Sequence, residues 1–166
     1  MTDLINGIHH ITALASDPQR NLDFYTRVLG LRMIKLTINF DDPGTYHFYF
    51  ADKTGSPGTV LTFFPFPSAR TGQVGAGQVG VISFAVPENS LDEWQRWLAD
   101  LKISTQGIQE RFGEPVLPFQ DPDGLRRAPR QAAVVWHVAQ AVPRRPLWAS
   151  SWQLAQSFPA PAVKTR

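Results

Sequence analysis

The chain has 166 residues, enough for one core-bearing domain and hardly two, and its 43% hydrophobic, 18% charged composition is that of a globular protein. It has no cysteine, which excludes disulfides, thiolate metal sites and cysteine nucleophiles, so any metal must be held by His, Asp, Glu or other oxygen donors. Residues 1–124 carry all 14 acids against 9 basic residues, a balance of −5, while residues 125–166 carry +7 and no acid, so the basic excess belongs to the tail and does not argue for nucleic-acid binding.

The segment Gly7–Ser16 (GIHHITALAS) is short, apolar-rich and strand-like. A helix signal follows at Ser16-Asp17-Pro18-Gln19, with Ser16 as N-cap of an S-x-x-Q box and proline near the first helical position. Leu22, Tyr25, Val28 and Leu29 give that helix one apolar stripe, and Gly30 stops it. Ile34, Leu36, Ile38 and Phe40 then alternate with polar residues, the period of a half-buried strand. Asp41–Gly44 is a turn, Thr45–Ala51 (TYHFYFA) a third strand and Thr59–Pro65 (TVLTFFP) a fourth. The order is β-α-β-β-β.

After the Gly-rich connector Thr71–Gly77, which lacks the lysine of a phosphate loop, the order begins again. Gln78–Pro87 is a strand, and Ser90 caps a helix with Glu93 three residues on and a buried stripe of Leu91, Trp94, Leu98 and Leu101. Ile108–Phe112 and Val116–Phe119 are strands, and Asp121–Gly124 is a turn that should feed a closing strand. Ala128-Pro129-Arg130 is a poor start for one, because proline removes a ladder donor. Val134–Val138 offers a short strand and Trp148–Ser157 a weak helix.

Phe24–Leu31 (FYTRVLGL) resembles the FY-x-x-VLGL signature of the vicinal-oxygen-chelate superfamily of glyoxalases, bleomycin-resistance proteins and extradiol dioxygenases. Gly7–Ala13 (GIHHITA), Asn39–Phe66 with its NFDDPGTYH and TFFP segments, and Glu110–Gly124 are similar to the N-terminal half of two-domain dioxygenases that open hydroquinone-type rings. The resemblance implies an α+β fold in which two βαβββ modules, about 5–66 and 78–126, form one domain over residues 5–126, the second module short of its last strand. It implies an aromatic diol and O₂ as substrates, and Fe(II) or Mn(II) as metal, completed by ligands this chain lacks. It also implies a complementary C-terminal domain or a homodimer as partner. A cytoplasmic protein is expected, with neither membrane nor nucleic acid as partner.

By the same resemblance the metal histidine is His10, and the other three ligand positions fall at Thr62, Val81 and Ala128, none a useful ligand. That count argues against a competent glyoxalase I and leaves the isolated chain without turnover. Taken alone, a strand histidine is more often simply hydrogen-bonded, and strand alternation lets only one of His9 and His10 face a site. The resemblance tips His10 toward ligation and makes His9 and Thr12 candidates for orienting groups or moving protons around it. His47 shares its face with Thr45 and Tyr49, a stripe that in an aromatic strand is more often packing than chemistry. The rival function is a stand-alone module that holds a small apolar or aromatic ligand without catalysis.

Residues 127–166 form a basic, acid-free and glycine-free tail, expected to be poorly ordered. So abrupt a change of composition predicts a shift of reading frame near codon 126, with a natural basic extension as the alternative.

Overall fold

The computed structural model describes residues 8–68, 76, 79–123 and the backbone of 133–138, so the Gly-rich connector, Ala128 and most of the tail lie outside the described residues. The described chain falls into two compact units divided near residue 69, each with one four-stranded sheet.

In the first unit β1 (His10–Ala15) leads into α1 (Pro18–Asp23), which widens into a π-helical turn at Phe24–Val28. Then come β2 (Arg32–Ile38), β3 (Tyr46–Ala51) and β4 (Val60–Pro65), in the sheet order β1-β4-β3-β2. β1 runs parallel to β4, and the remaining pairs are antiparallel. The cap of α1 corrects the sequence expectation: Asp17 Oδ1, not Ser16, accepts the Arg20 N–H at 2.7 Å. The cause is Pro18, whose ring drives the preceding residue to extended backbone (φ −116, ψ 120), so Asp17 cannot be helical. Gly30, with φ 70, ends the helical segment as expected, since a left-handed residue there carries no Cβ clash.

One face of this sheet meets the helical segment. Tyr25 lies against Phe50 and Phe63 with ring centroids 5.5 and 4.5 Å apart, and Phe48, Leu61 and Phe24 are buried with them. Each such side chain contributes about 1.5–3 kcal/mol by leaving water. The apolar stripe of β2 is less covered than its period suggests. Ile34, Leu36 and Ile38 are 40%, 39% and 56% exposed, because β2 is an edge strand with a neighbour on one side only, and Phe40 lies beyond its end.

The second unit repeats the order with β5 (Val81–Val86), α2 (Leu91–Asp100), β6 (Gln109–Arg111), β7 (Glu114–Phe119) and β8 (Ala133–Val138), arranged β5-β8-β7-β6. α2 packs on β7, where Val116, Leu117 and Phe119 are buried. Ser90 sits at the N-cap but makes no side-chain cap bond; its hydroxyl donates to the Pro87 carbonyl at 2.6 Å, so the expected box with Glu93 does not form. Leu101 is 40% exposed because the helix stops one residue before it. The second module, expected to be short of its last strand, has one: Val134–Val138, read as a short strand within the tail, is β8, parallel to β5 and antiparallel to β7.

Candidate functional site

The face of the first sheet opposite its helix is where the polar groups collect. Thr12 on β1, Thr62 on β4, Tyr49 on β3 and Lys35 on β2 stand in one row across all four strands by register. Adjacent residues in such a row share a face. The next row brings His47, paired with Thr37, and Phe64, paired with Leu14. His10 lies two residues before Thr12 and so on this same face. No acidic residue occupies a strand position on it.

The contacts follow from that register. The Thr12 and Thr62 hydroxyls are 2.8 Å apart, one donating to the other, and Thr62 is fully buried. The Tyr49 hydroxyl lies 3.0 Å from His47 Nδ1, and the His47 ring is layered between Tyr49 and Phe64 at centroid distances of 4.2 and 4.0 Å. Lys35 Nζ sits 5.0 Å from the centre of the Tyr49 ring. Burial, reinforced by the positive charges of His10 and Lys35, holds the His47 pKa below the usual histidine range. Its Nε2 is buried and has no hydrogen-bond partner among the described residues.

His9 precedes the strand, so alternation does not direct it away from His10. The two Nδ1 atoms are 2.8 Å apart, and one must donate to the other. When His10 is the donor, its Nε2 keeps a lone pair for a metal and His9 fixes the ring orientation. Thr62, counted as an empty ligand position, is committed to Thr12, and Val81 offers no ligand atom. Ala128 lies outside the described residues; by backbone register the position matching Thr62 is Val135, opposite Ser83 as Thr62 is opposite Thr12. Among the described residues no group of three or more His, Asp or Glu side chains could hold a metal ion. The described residues therefore do not fit a complete metal site, and His10 stands as a single imidazole.

Sequence reasoning set His47 and Tyr49 aside as packing and did not weigh Lys35. The signal available was the shared face of His47 and Tyr49. What the pattern could not say was which face of that aromatic strand the helix covers.

The profile of the Glyoxalase/Bleomycin resistance protein/Dioxygenase superfamily matches residues 7–127. The chain is 45% identical over 158 residues to "Putative ring-cleaving dioxygenase MhqO" of Bacillus subtilis, covering 95% of this chain and 46% of that protein. It is 36% identical over 125 residues to the "Chlorohydroquinone/hydroquinone 1,2-dioxygenase" of Sphingobium indicum, covering 74% of this chain and 39% of that one. The crystal structure of a "putative dioxygenase" from Bacillus subtilis superposes with a TM-score of 0.70 at 46% identity, over 81% of this chain and 40% of that one. The chain thus spans less than half the length of these relatives. A shift of frame near codon 126 would end the likeness there; the match to MhqO runs on into the tail.

Proposed function

Because the chain belongs to the glyoxalase/bleomycin resistance protein/dioxygenase superfamily, we propose that it is the N-terminal domain of a ring-cleaving dioxygenase acting on an aromatic diol with O₂. Fe(II) or Mn(II) is the metal, with His10 as one ligand and His9 and Thr12 beside it. The observation that carries the reading is the face just described, where His10 is hydrogen-bonded by His9 and stands beside the Thr12–Thr62 pair. The named relatives, of which the chain covers less than half, supply the reaction class. One imidazole leaves most of a metal's coordination to water, so the remaining ligands come from a complementary C-terminal domain or a second copy.

The test is metal content and O₂ uptake with a panel of hydroquinones, for the chain alone and mixed with a separately expressed C-terminal half. Weak Fe(II) binding and no turnover are expected alone. Uptake should appear with the complement and disappear in His10→Ala. Stoichiometric tight metal with turnover by the chain alone would overturn the division of ligands. A second reading, a binding module without catalysis, is favoured by the lack of a metal-holding group among the described residues; binding of the diol with no O₂ uptake in any combination would select it.

A further inference from the structure

We propose that Lys35, Tyr49 and His47 form a subsite on the helix-free face of the first sheet that binds the oxygen of a phenolate, with the aromatic ring against Tyr49 and Phe64. The inference takes the phenolic nature of the ligand from the ring-cleaving reading, and its geometry from residues outside the His10 cluster.

Three observations converge. The first is electrostatic: the strand positions of this face hold the cation Lys35 and no acid, which favours an anion over a cation. The second is a buried ring nitrogen, His47 Nε2, without a hydrogen-bond partner among the described residues. With the Tyr49 hydroxyl donating to His47 Nδ1 at 3.0 Å, the neutral ring carries its proton on Nε2. That N–H is buried and unpartnered among the described residues, a state that costs about 1–3 kcal/mol until an acceptor arrives. The low pKa of His47 keeps the imidazole neutral, so it donates a hydrogen bond to an oxyanion without handing over a second proton.

The third is shape. Tyr49, His47 and Phe64 present rings layered at 4.2 and 4.0 Å, with Lys35 Nζ 5.0 Å from the Tyr49 centre. An aromatic wall with a cation over one of its rings suits a planar ring that bears one negative oxygen. A phosphate group would instead call for several converging donors. These residues bind and orient; the proposal assigns them no bond-making step.

The test uses 4-nitrophenol as probe with the full chain, at a pH just below the probe's own pKa, reading the phenolate absorption band. Addition of the protein should raise that band. Lys35→Met, an exposed substitution that leaves the core alone, should weaken phenolate binding about fivefold, at the upper end of what an exposed charge contributes. His47→Phe should weaken it about tenfold, the loss of a hydrogen bond to a charged group. His47→Gln, which keeps an N–H donor, should restore most of the affinity and so separate a binding role from a packing one. The methyl ether 4-nitroanisole should bind equally weakly to all forms. Phenolate binding unchanged in both Lys35→Met and His47→Phe, or anisole bound as tightly as phenolate, would overturn the subsite. Phenolate binding that depends on Lys35 and His47, with no O₂ uptake in any combination, supports the subsite and sinks the ring-cleaving reading. O₂ uptake with phenolate binding indifferent to both residues does the reverse.

Discussion

The two sheets have the same strand order and the same mixture of parallel and antiparallel pairs, yet matching positions carry different chemistry. Where the first sheet has the row Thr12, Thr62 and Tyr49, the second has Ser83, Val135 and Pro118. The position of His10 is Val81, and that of His47 is Val116, which is buried. The connections differ as well. β2 and β3 are joined by a longer loop in which Asp42 accepts from Gly44 N–H at 3.2 Å and from the Thr45 hydroxyl at 2.6 Å. β6 and β7 are joined by the two-residue turn Phe112-Gly113. A sheet face is a set of interchangeable positions on a fixed frame, so one frame can be kept twice while polar groups gather on one copy. Strand order is set by which strands bury their apolar sides, and the chemistry by what stands at the opposite side of the same strands.

The largest effect should come from the shared feature, the covered face. Phe63→Ala removes a fully buried ring from contact with Tyr25 and Phe50 and should cost about 3–5 kcal/mol in urea unfolding. A loss under about 1 kcal/mol would show that this face is not the core of the first unit. Thr62→Val next turns the first row into the likeness of the second, which has Val135 there. It deletes the bond to Thr12 at nearly constant volume, and about 0.5–1.5 kcal/mol should be lost. No loss at all would mean that the hydroxyl pair serves the ligand and not the fold.

Phe112→Asn sharpens the contrast of connections. Phe112 has φ 54 and Gly113 φ 79, the conformation in which Asn-Gly is favoured and a bulky residue is strained. Phe112 is also 89% exposed, so little packing is lost, and the variant should be more stable by about 0.5–1 kcal/mol in a thermal melt. Its failure to stabilise would show that the ring is held by something beyond the turn.

The smallest effect is the pH dependence left by His47. Its folded pKa lies below the ordinary 6.5, so the folded state binds the proton less readily than the unfolded chain. The associated stability is fully present above the unfolded pKa and is lost as pH falls through 6.5 toward the folded value. Melting of the native chain should therefore decline more steeply than that of His47→Gln between pH about 7 and about 5. Parallel curves would remove the buried imidazole from the account.

The local patterns were legible where one element carried its own signal. TYHFYFA and TVLTFFP became β3 and β4, and Leu91 and Leu98 are the buried side of α2. They failed where a neighbour decides. Pro18 moved the cap from Ser16 to Asp17, Ser90 turned its hydroxyl to Pro87, and Val134–Val138 was legible as a short strand but not as the one that closes the second sheet between β5 and β7. Of the site, His10 was named through resemblance, whereas His47 was read as one more aromatic-strand side chain.

By itself the amino-acid sequence determined the repeated element order, the lack of any thiolate ligand, the adjacent pair His9-His10 at the first strand and the break in charge after residue 124. It determined too that Thr12 shares a face with His10 and Tyr49 with His47, because strand alternation is local. Only the tertiary structure decided that these two faces are one. β1 pairs with β4, 50 residues on, and β4 with β3, which places Thr62 between Thr12 and Tyr49 and carries the row out to Lys35. Alternation says which side of a strand a residue occupies. It does not say which distant strand lies alongside, since that is settled by burying Phe48, Phe50, Leu61 and Phe63 together against the helix.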